Sequence, residues 1–413
     1  ECVDYAIKNN ISIKQSELDL KTTDIDKLEA IGGFLPTLNG NANYSMNTGA
    51  SINPVTNQFQ NETFKSMSAS ANSGIMLFNG LANWKTLQRA KLSKIANSYR
   101  LDKMKDDIAL SIANSYLQIL FNKEQLKVQK NQNLITKENI KRTQELIQAG
   151  SLPAGDIYEL QATDASQEQQ IVNTENALLI AKIGLCQTLL LEDYANFDIS
   201  DEVMDLPMTD MTNETQESIL EKAKESVKDV KIAMANVDVA KKDVALSRSS
   251  YLPTLTGFLG YNTRWAESIP FNFIDQLTLF DGTAVGLQLN VPILNGFATR
   301  GRVQRAKINQ ERSEFQLKQA ELDLERNVYQ AYNDVINAKK SFEAAQKTLE
   351  ARKQSFNFSK ERYEVGLMNS FDFSQSTIAF ENAQSEVLRT KYDYLFRTKI
   401  LEFYFGIPLV KKQ

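Results

Sequence analysis

The sequence contains no histidine and only two cysteines among its 413 residues. Without histidine, the chain lacks the side chain that most often serves as a general base or a metal ligand near neutral pH. The two cysteines, Cys2 and Cys186, match no spacing typical of a zinc or redox site. No constellation of catalytic residues stands out, so we expect no enzyme activity, no cofactor and no metal site.

The two cysteines leave several alternatives open. They can be unpaired thiols, which we favour, or they can form a disulfide if the protein lies outside the cytoplasm. Lipid attachment at Cys2 is disfavoured because the helical pattern VDYAIKNN follows it directly. No signal peptide is recognised, so we expect a mature or trimmed form.

Long apolar runs and an excess of positive charge are also missing. No run approaches the roughly 20 apolar residues of a membrane-spanning helix, which excludes a helical span. Membrane strands remain open, because they show only weak alternation. The formal net charge of −4 and the pI of about 5.4 argue against a nucleic-acid partner.

Several short motifs occur twice in the same order. YLPTLTG at 251–257 repeats FLPTLNG at 34–40, and ILNG at 293–296 repeats LFNG at 77–80. From the second pair onward the matching landmarks lie 216 residues apart, including an RAK motif, a turn glycine and an aspartate. This constant register indicates two tandem repeats, 1–216 and 217–413.

Each repeat contains a very long helical pattern, a turn and a return helix. We predict long helices at about 81–149 and 297–365, and return helices at about 156–191 and 372–404. A helix of roughly 70 residues is on the order of 100 Å long, which is typical of coiled coils or helical arrays. The acidic, non-periodic segment 192–213 is predicted to connect the repeats.

The residue pattern changes to strict alternation before each long helix. This alternation predicts strands at about 37–47, 64–75, 254–263 and 281–291. In the first strand Leu38, Ala42 and Tyr44 alternate with asparagines and serine. The third strand alternates less cleanly, because Phe258 falls on the polar side.

Such strands fit either a half-buried sheet of a soluble protein or a membrane barrel. The strand lengths, the long polar loops at about 47–63 and 264–280 and the long helices favour membrane strands. Four strands cannot close a barrel, since the smallest membrane barrels have about eight. Several chains must therefore share one barrel, which would have about eight strands from two copies or about twelve from three.

Over essentially its whole length the chain resembles the TolC-type family of outer-membrane efflux ducts. The resemblance is carried by ECVDYAIKNNISIKQSELDL, FLPTL, YLPTL, GLQLNVPILNGFATRGRVQRAK and RYEVGLMNSFDFSQSTIAFENAQSEVLRTKYDYL. It implies a mixed α and β fold in a homotrimer. Four strands per chain would form a twelve-stranded outer-membrane β-barrel, continued by a long periplasmic α-helical barrel.

The resemblance also implies a gate at the turns 149–156 and 366–372. Asp372 from three chains would form a carboxylate ring that attracts cations, with Asp156 at the equivalent position of the first repeat. Tyr363 and Asp156 match residues that hydrogen-bond between neighbouring turns in the closed gate. From the residues alone, each aspartate can instead cap its return helix.

Two positions depart from the family pattern. Gln375 stands where some members carry a second aspartate, and Met368 stands where those members carry an arginine. We therefore expect a gate that binds cations more weakly and is held shut by fewer bonds.

The turns also match a motif that family members present to a periplasmic adaptor protein. Val365, Gly366 and Leu367 carry this match, and their counterparts in the first repeat are Ala149, Gly150 and Ser151. Alternatively, both glycines serve only as helix C-caps.

These features together predict a passive outer-membrane exit duct of a tripartite efflux pump, exporting small molecules such as drugs or toxic compounds. Its expected partners are further copies of the chain, a periplasmic adaptor, an inner-membrane RND or ABC transporter and outer-membrane lipid. One alternative is the outer-membrane component of type I protein secretion. A different class is a soluble coiled-coil scaffold with a small sheet at one end.

Overall fold

The computed structural model describes residues 1–52, 57–194, 196–200 and 214–407. The chain divides into two compact units. The first, the helical unit, contains Glu1–Glu17, Tyr99–Lys231 and Lys318–Gln413. The second, the sheet unit, contains Leu18–Ser98 and Ile232–Leu317.

The described residues form nine α-helices and four β-strands, and the mixed α and β fold is confirmed. In chain order they are α1 (Cys2–Asn9), α2 (Ile11–Gly32), β1 (Thr37–Ile52), β2 (Phe59–Asn79), α3 (Ala82–Gln148), α4 (Asp156–Leu189), α5 (Gln216–Ser226), α6 (Lys228–Ser249), β3 (Thr254–Ala266), α7 (Phe273–Leu279), β4 (Gly282–Asn290), α8 (Ala298–Glu364) and α9 (Ser370–Tyr404). None of the described helices is both long and apolar enough to cross a membrane.

The two long helices, α3 and α8, each contain 67 residues. Both begin one residue after the predicted start and end one residue before the predicted end. The return helix α9 begins two residues earlier than predicted, because Asn369 caps it. Of the predicted connector 192–213, residues 195 and 201–213 lie outside the described residues.

The repeated Asn-Gly motif lies where a strand gives way to a long helix. Gly80 has φ +65° and Gly296 has φ +56°, and the residue after each is also left-handed. The preceding asparagine supports the start of the helix: Asn79 Oδ1 accepts from the Asn83 amide at 3.3 Å, and Asn295 Nδ2 donates to Thr299 Oγ1 at 2.6 Å. The repetition in the sequence is therefore a repeated left-handed connection from strand to helix, in which glycine is favoured.

The four strands form one antiparallel sheet in the order β1-β2-β3-β4. Tyr44 lies opposite Met67, and Ala71 lies opposite Tyr261. Leu259 in turn lies opposite Val285. Directly opposed residues share a face, so most apolar residues of the four strands lie on one face and most of the asparagines and serines on the other.

The predicted loops are shorter than expected, because the strands are longer. β1 and β2 extend into the predicted loop 47–63, of which 53–56 lies outside the described residues. The predicted loop 264–280 was wrong in part, since β3 continues to Ala266 and α7 forms inside it. The Asn272 side chain caps α7, and the amide of the fully buried Gln276 donates to the Ile269 and Phe271 carbonyls.

The helical unit has an apolar core in which α1, α3, α4 and α9 meet. Ile119, Leu185 and Leu395 are almost fully buried there. Both cysteines are free, and burial raises the pKa of the Cys186 thiol.

Candidate functional site

The turns that follow the two long helices have the same backbone geometry. In the second repeat the amide of Leu367 donates to the Arg362 carbonyl, and that of Gly366 donates to the Tyr363 carbonyl. In the first repeat Ser151 and Gly150 donate to Leu146 and Ile147 in the same way. This is the Schellman motif, and it needs a left-handed residue, for which Gly366 and Gly150 have φ +74° and +75°.

The side chains next to these glycines point into open space. Val365 and Leu367 are each 69 % exposed, and Ala149 and Ser151 are exposed at the equivalent positions. The glycines do act as helix C-caps, as one alternative predicted. This role leaves the two apolar side chains of the second turn largely exposed in the part of the chain that the structure describes.

Asp372 lies in the first turn of α9 and is exposed. Its backbone amide donates to Asn369 Oδ1 at 2.8 Å, and its carboxylate accepts from Asn369 Nδ2 at 3.0 Å. Asn369 is therefore the N-cap, so the alternative that Asp372 itself is the cap is wrong, whereas its predicted place in the first turn is confirmed. The carboxylate lies near the positive end of the helix dipole, where a negative charge is favourable.

Asp156 occupies a similar place in the first repeat, with a different cap. It is the first residue of α4 and is half-buried, and the N-cap is Gly155, which has no side chain to offer. The capping expectation was wrong for Asp156 as well. Both aspartates thus follow a turn without being the N-cap of their helix, although the Asp372 carboxylate is bonded to the cap residue Asn369.

Four aromatic rings stack behind the turn of the second repeat. The rings of Tyr363 and Phe373 are nearly parallel, 5° apart, with centroids separated by 4.5 Å. Phe356 stacks on Phe373 at 6.0 Å and on Phe380 at 5.0 Å. Because Tyr363 and Phe373 are almost fully buried, this stack fixes α8 against α9 close to the turn.

The hydroxyl of Tyr363 lies 2.8 Å from that of Thr143 on α3. Thr143 Oγ1 donates its single proton to the Asn139 carbonyl at 2.8 Å, so the tyrosine is the donor of the bond between them. Burial raises the pKa of Tyr363, and the charge of Asp156 raises it further. Asp156 is thus within electrostatic reach, and its predicted hydrogen bond to Tyr363 on a neighbouring copy stays a prediction.

A row of buried polar side chains continues from this point between the helices. Thr163 and Ser374 share a hydrogen bond of 2.8 Å, and Gln167 Nε2 donates to Glu381 at 2.6 Å. Burial raises the pKa of the Glu381 carboxyl from 4.5 to about 7, and the bond from Gln167 opposes this only in part.

This polar row was not among the sites predicted from the sequence. Leu160, Thr163 and Gln167 recur at spacings of four residues or fewer and are all buried. Polar residues on the inward stripe of a helix, at the same spacing as leucine, are the signal that could have revealed it.

The two residues that depart from the family pattern differ in burial. Gln375 is exposed one turn after Phe371, and Met368 is half-buried against the aromatic stack. Among residues 1–52, 57–194, 196–200 and 214–407, no three metal-ligating side chains come together.

The protein-family model described as outer membrane efflux protein matches residues 2–189 and 219–406 of this chain. Outer membrane protein TolC of Vibrio cholerae is 22 % identical over 316 residues, which covers 76 % of this chain and 71 % of that protein. Proteases secretion protein PrtF of Dickeya chrysanthemi is 21 % identical over 315 residues, covering 76 % of this chain and 67 % of that one.

The fold agrees with solved channels. The Campylobacter jejuni CmeC outer membrane channel superposes with a TM-score of 0.80 and 18 % identity, covering 98 % of this chain and 84 % of that one. The family model covers both repeats almost completely. The chain therefore belongs to the outer membrane efflux protein family.

Proposed function

We propose that three copies of this chain form a passive duct that carries small molecules out through the outer membrane. The observation that carries the proposal is the sorting of side chains between the two faces of the sheet. On the apolar face Val285, Leu287 and Leu289 are 80 %, 68 % and 63 % exposed. Such a surface is stable against lipid, whereas the opposite, polar face is suited to water.

The open edges of the sheet support the assembly of several copies. Among the described strands, β1 pairs only with β2 and β4 only with β3, so each outer strand leaves one row of its backbone groups without a strand partner. In a membrane, such edges must pair, because hydrocarbon offers no hydrogen bonds. Twelve strands from three copies meet this need, as the family resemblance implies.

The exposed turns support docking to a partner protein. Val365 and Leu367 offer apolar side chains on a rigid Schellman turn, with Ala149, Gly150 and Ser151 as the weaker counterpart. A periplasmic adaptor is the partner that we assign to this surface. It would couple the duct to an inner-membrane RND or ABC transporter, which supplies the energy.

Asp372 and Asp156 are proposed to line the gate. Both carboxylates lie directly after a turn, and neither caps its helix. Gln375 adds no charge beside Asp372, so we expect modest selectivity for cations. Tyr363 would help to hold the gate closed.

Family membership favours the duct over the soluble coiled-coil scaffold. It leaves type I protein secretion as the alternative cargo class, because PrtF is named for secreting proteases. No residue in the described part of the chain separates these two cargo classes.

Deleting the gene and comparing two readouts tests the cargo. We expect the deletion strain to accumulate a fluorescent efflux dye and to regain normal levels when the wild-type gene returns. Loss of a secreted protein from the medium with unchanged dye accumulation would support protein secretion instead. Native mass spectrometry of the detergent-purified protein tests the trimer separately.

A further inference from the structure

One aromatic residue interrupts the central part of the polar face of the sheet. Phe258 lies on the same face as Thr256 and Gly260 of β3, and directly opposite Gly74 of β2 and Gly286 of β4. Across Thr37–Ser45, Ser66–Met76, Thr254–Asn262 and Gly282–Asn290 this face has no ionisable side chain. Phe258 is its only aromatic residue there.

The phenyl ring of Phe258 packs over Gly286, which has no side chain to occupy the space beneath it. A Cβ atom at Gly286 would be only 2.7 Å from Phe258 Cζ and 3.0 Å from Cε1, so no other residue fits beneath the ring in this position. The ring therefore leans across the sheet onto β4. It is still 42 % exposed, so part of it faces the space above the polar face.

Amide and hydroxyl groups surround the ring. Asn72 and Gln288 lie diagonally from Phe258 on the neighbouring strands, and Thr256 precedes it on the same face. The surface around Phe258 thus combines one aromatic ring with uncharged hydrogen-bonding groups. A planar aromatic molecule with polar groups on its edge is the ligand class that matches both parts.

We propose that Phe258, packed over Gly286, forms a binding site for planar aromatic cargo inside the duct, which we call the seat. This inference rests on the proposed function, which assigns the polar face to the lumen. Three copies would provide three seats at one level. β3 lies between β2 and β4, so the pairing of outer strands between copies leaves the seat uncovered.

A ring that only shields Gly286 from water would give the same packing. The two roles differ in one respect. Shielding needs apolar volume, which leucine also supplies, whereas stacking needs an aromatic plane. Phe258→Leu therefore separates the seat from simple packing.

The test measures binding of pyrenesulfonate, a water-soluble planar aromatic anion, to the protein in lipid nanodiscs by fluorescence anisotropy. Its negative charge keeps it away from the carboxylates near the turns. We expect Phe258→Leu to weaken binding roughly 3- to 10-fold, and Phe258→Trp to preserve or strengthen it. Tyr261→Leu is the matched control, because Tyr261 lies on the opposite face of the same strand and should leave binding unchanged.

Equal affinity of the wild type and Phe258→Leu would overturn the seat, as would absence of binding to the wild type. Single-channel recording of the same preparations tests the duct itself. Absence of channels would contradict the proposed function, whereas normal channels with unaltered binding in Phe258→Leu would contradict only the seat.

Discussion

Tyr363 donates a hydrogen bond to Thr143 within the same chain, over 2.8 Å, and so joins α8 to α3 close to both turns. The family resemblance assigned the tyrosine a partner on a neighbouring copy, Asp156. The structure adds a second partner that the sequence did not indicate, and the two can be separated by mutation.

We expect Tyr363→Phe to raise the closed-state conductance, because it removes a hydrogen bond worth about 0.5–1.5 kcal/mol while keeping the stack on Phe373. Thr143→Val removes the same bond with little change of shape. If Thr143→Val reproduces the effect, the bond within the chain holds the gate. If only Asp156→Asn does, the contact between copies holds it. Unchanged conductance in Tyr363→Phe would exclude both roles.

Asp372→Asn should weaken block of the channel by a trivalent cation such as hexamminecobalt. The half-blocking concentration should rise about tenfold, equivalent to about 1.4 kcal/mol, because the carboxylate ring is lost. The cap of α9 stays intact, since Asn369 provides it. Gln375→Ala is the control and should leave the block unchanged. A blocking curve identical to that of the wild type would remove Asp372 from the cation site.

Gly366→Ala should destabilise the turn by about 1–2 kcal/mol, because Gly366 has φ +74° and an added Cβ is strained there even with no atom within 4 Å. Gly155→Ala is the control: its φ is −69° and the space around it is equally open. Limited proteolysis at the turns would measure the difference. Equal protection of the two variants would show that the left-handed turn is not needed.

Glu381 should make the stability of the helical unit depend on pH. Its pKa is about 7 in the folded chain against an ordinary value of 4.5, so folding favours the protonated form. The free energy of unfolding is then highest below pH 4.5 and falls as the pH rises through 7. We expect a loss of about 1–2 kcal/mol over this range, and Glu381→Gln should remove it.

Thermal unfolding followed by circular dichroism at pH 5 and pH 8 would measure this effect. Glu386→Gln is the control on the same helix: an ion pair with Arg389 lowers the pKa of Glu386, so its effect on stability falls below pH 4.5 and its replacement should leave the difference between pH 5 and pH 8 unchanged. A wild-type protein that is equally stable at both pH values would contradict the role of Glu381.

The sequence predicted the helices and strands well because their boundaries have local causes. Gly150 and Gly366 end the long helices in a left-handed conformation. At the other end of these helices, Asn79 and Asn295 precede a left-handed glycine and bond to the first turn of the helix. These features depend on a few neighbouring residues, so they can be predicted from the sequence without knowledge of the fold. Alternation likewise predicted which side chains share a face of the sheet.

Contacts between distant residues could not be predicted in the same way. Thr143 and Tyr363 are 220 residues apart, and Thr163 and Ser374 are 211 apart. Only the packing of the helices decides which polar side chains meet. The helix α7 was also missed, because its stability depends on Gln276 bonding to the surrounding loop.

The most direct test of the duct is single-channel recording of the detergent-purified protein in a planar bilayer, with the reversal potential measured in a salt gradient. We predict discrete steps of low conductance with modest selectivity for cations, as expected for a trimer closed near Asp372. Well-folded protein that produces no steps, or steps selective for anions, would contradict the account.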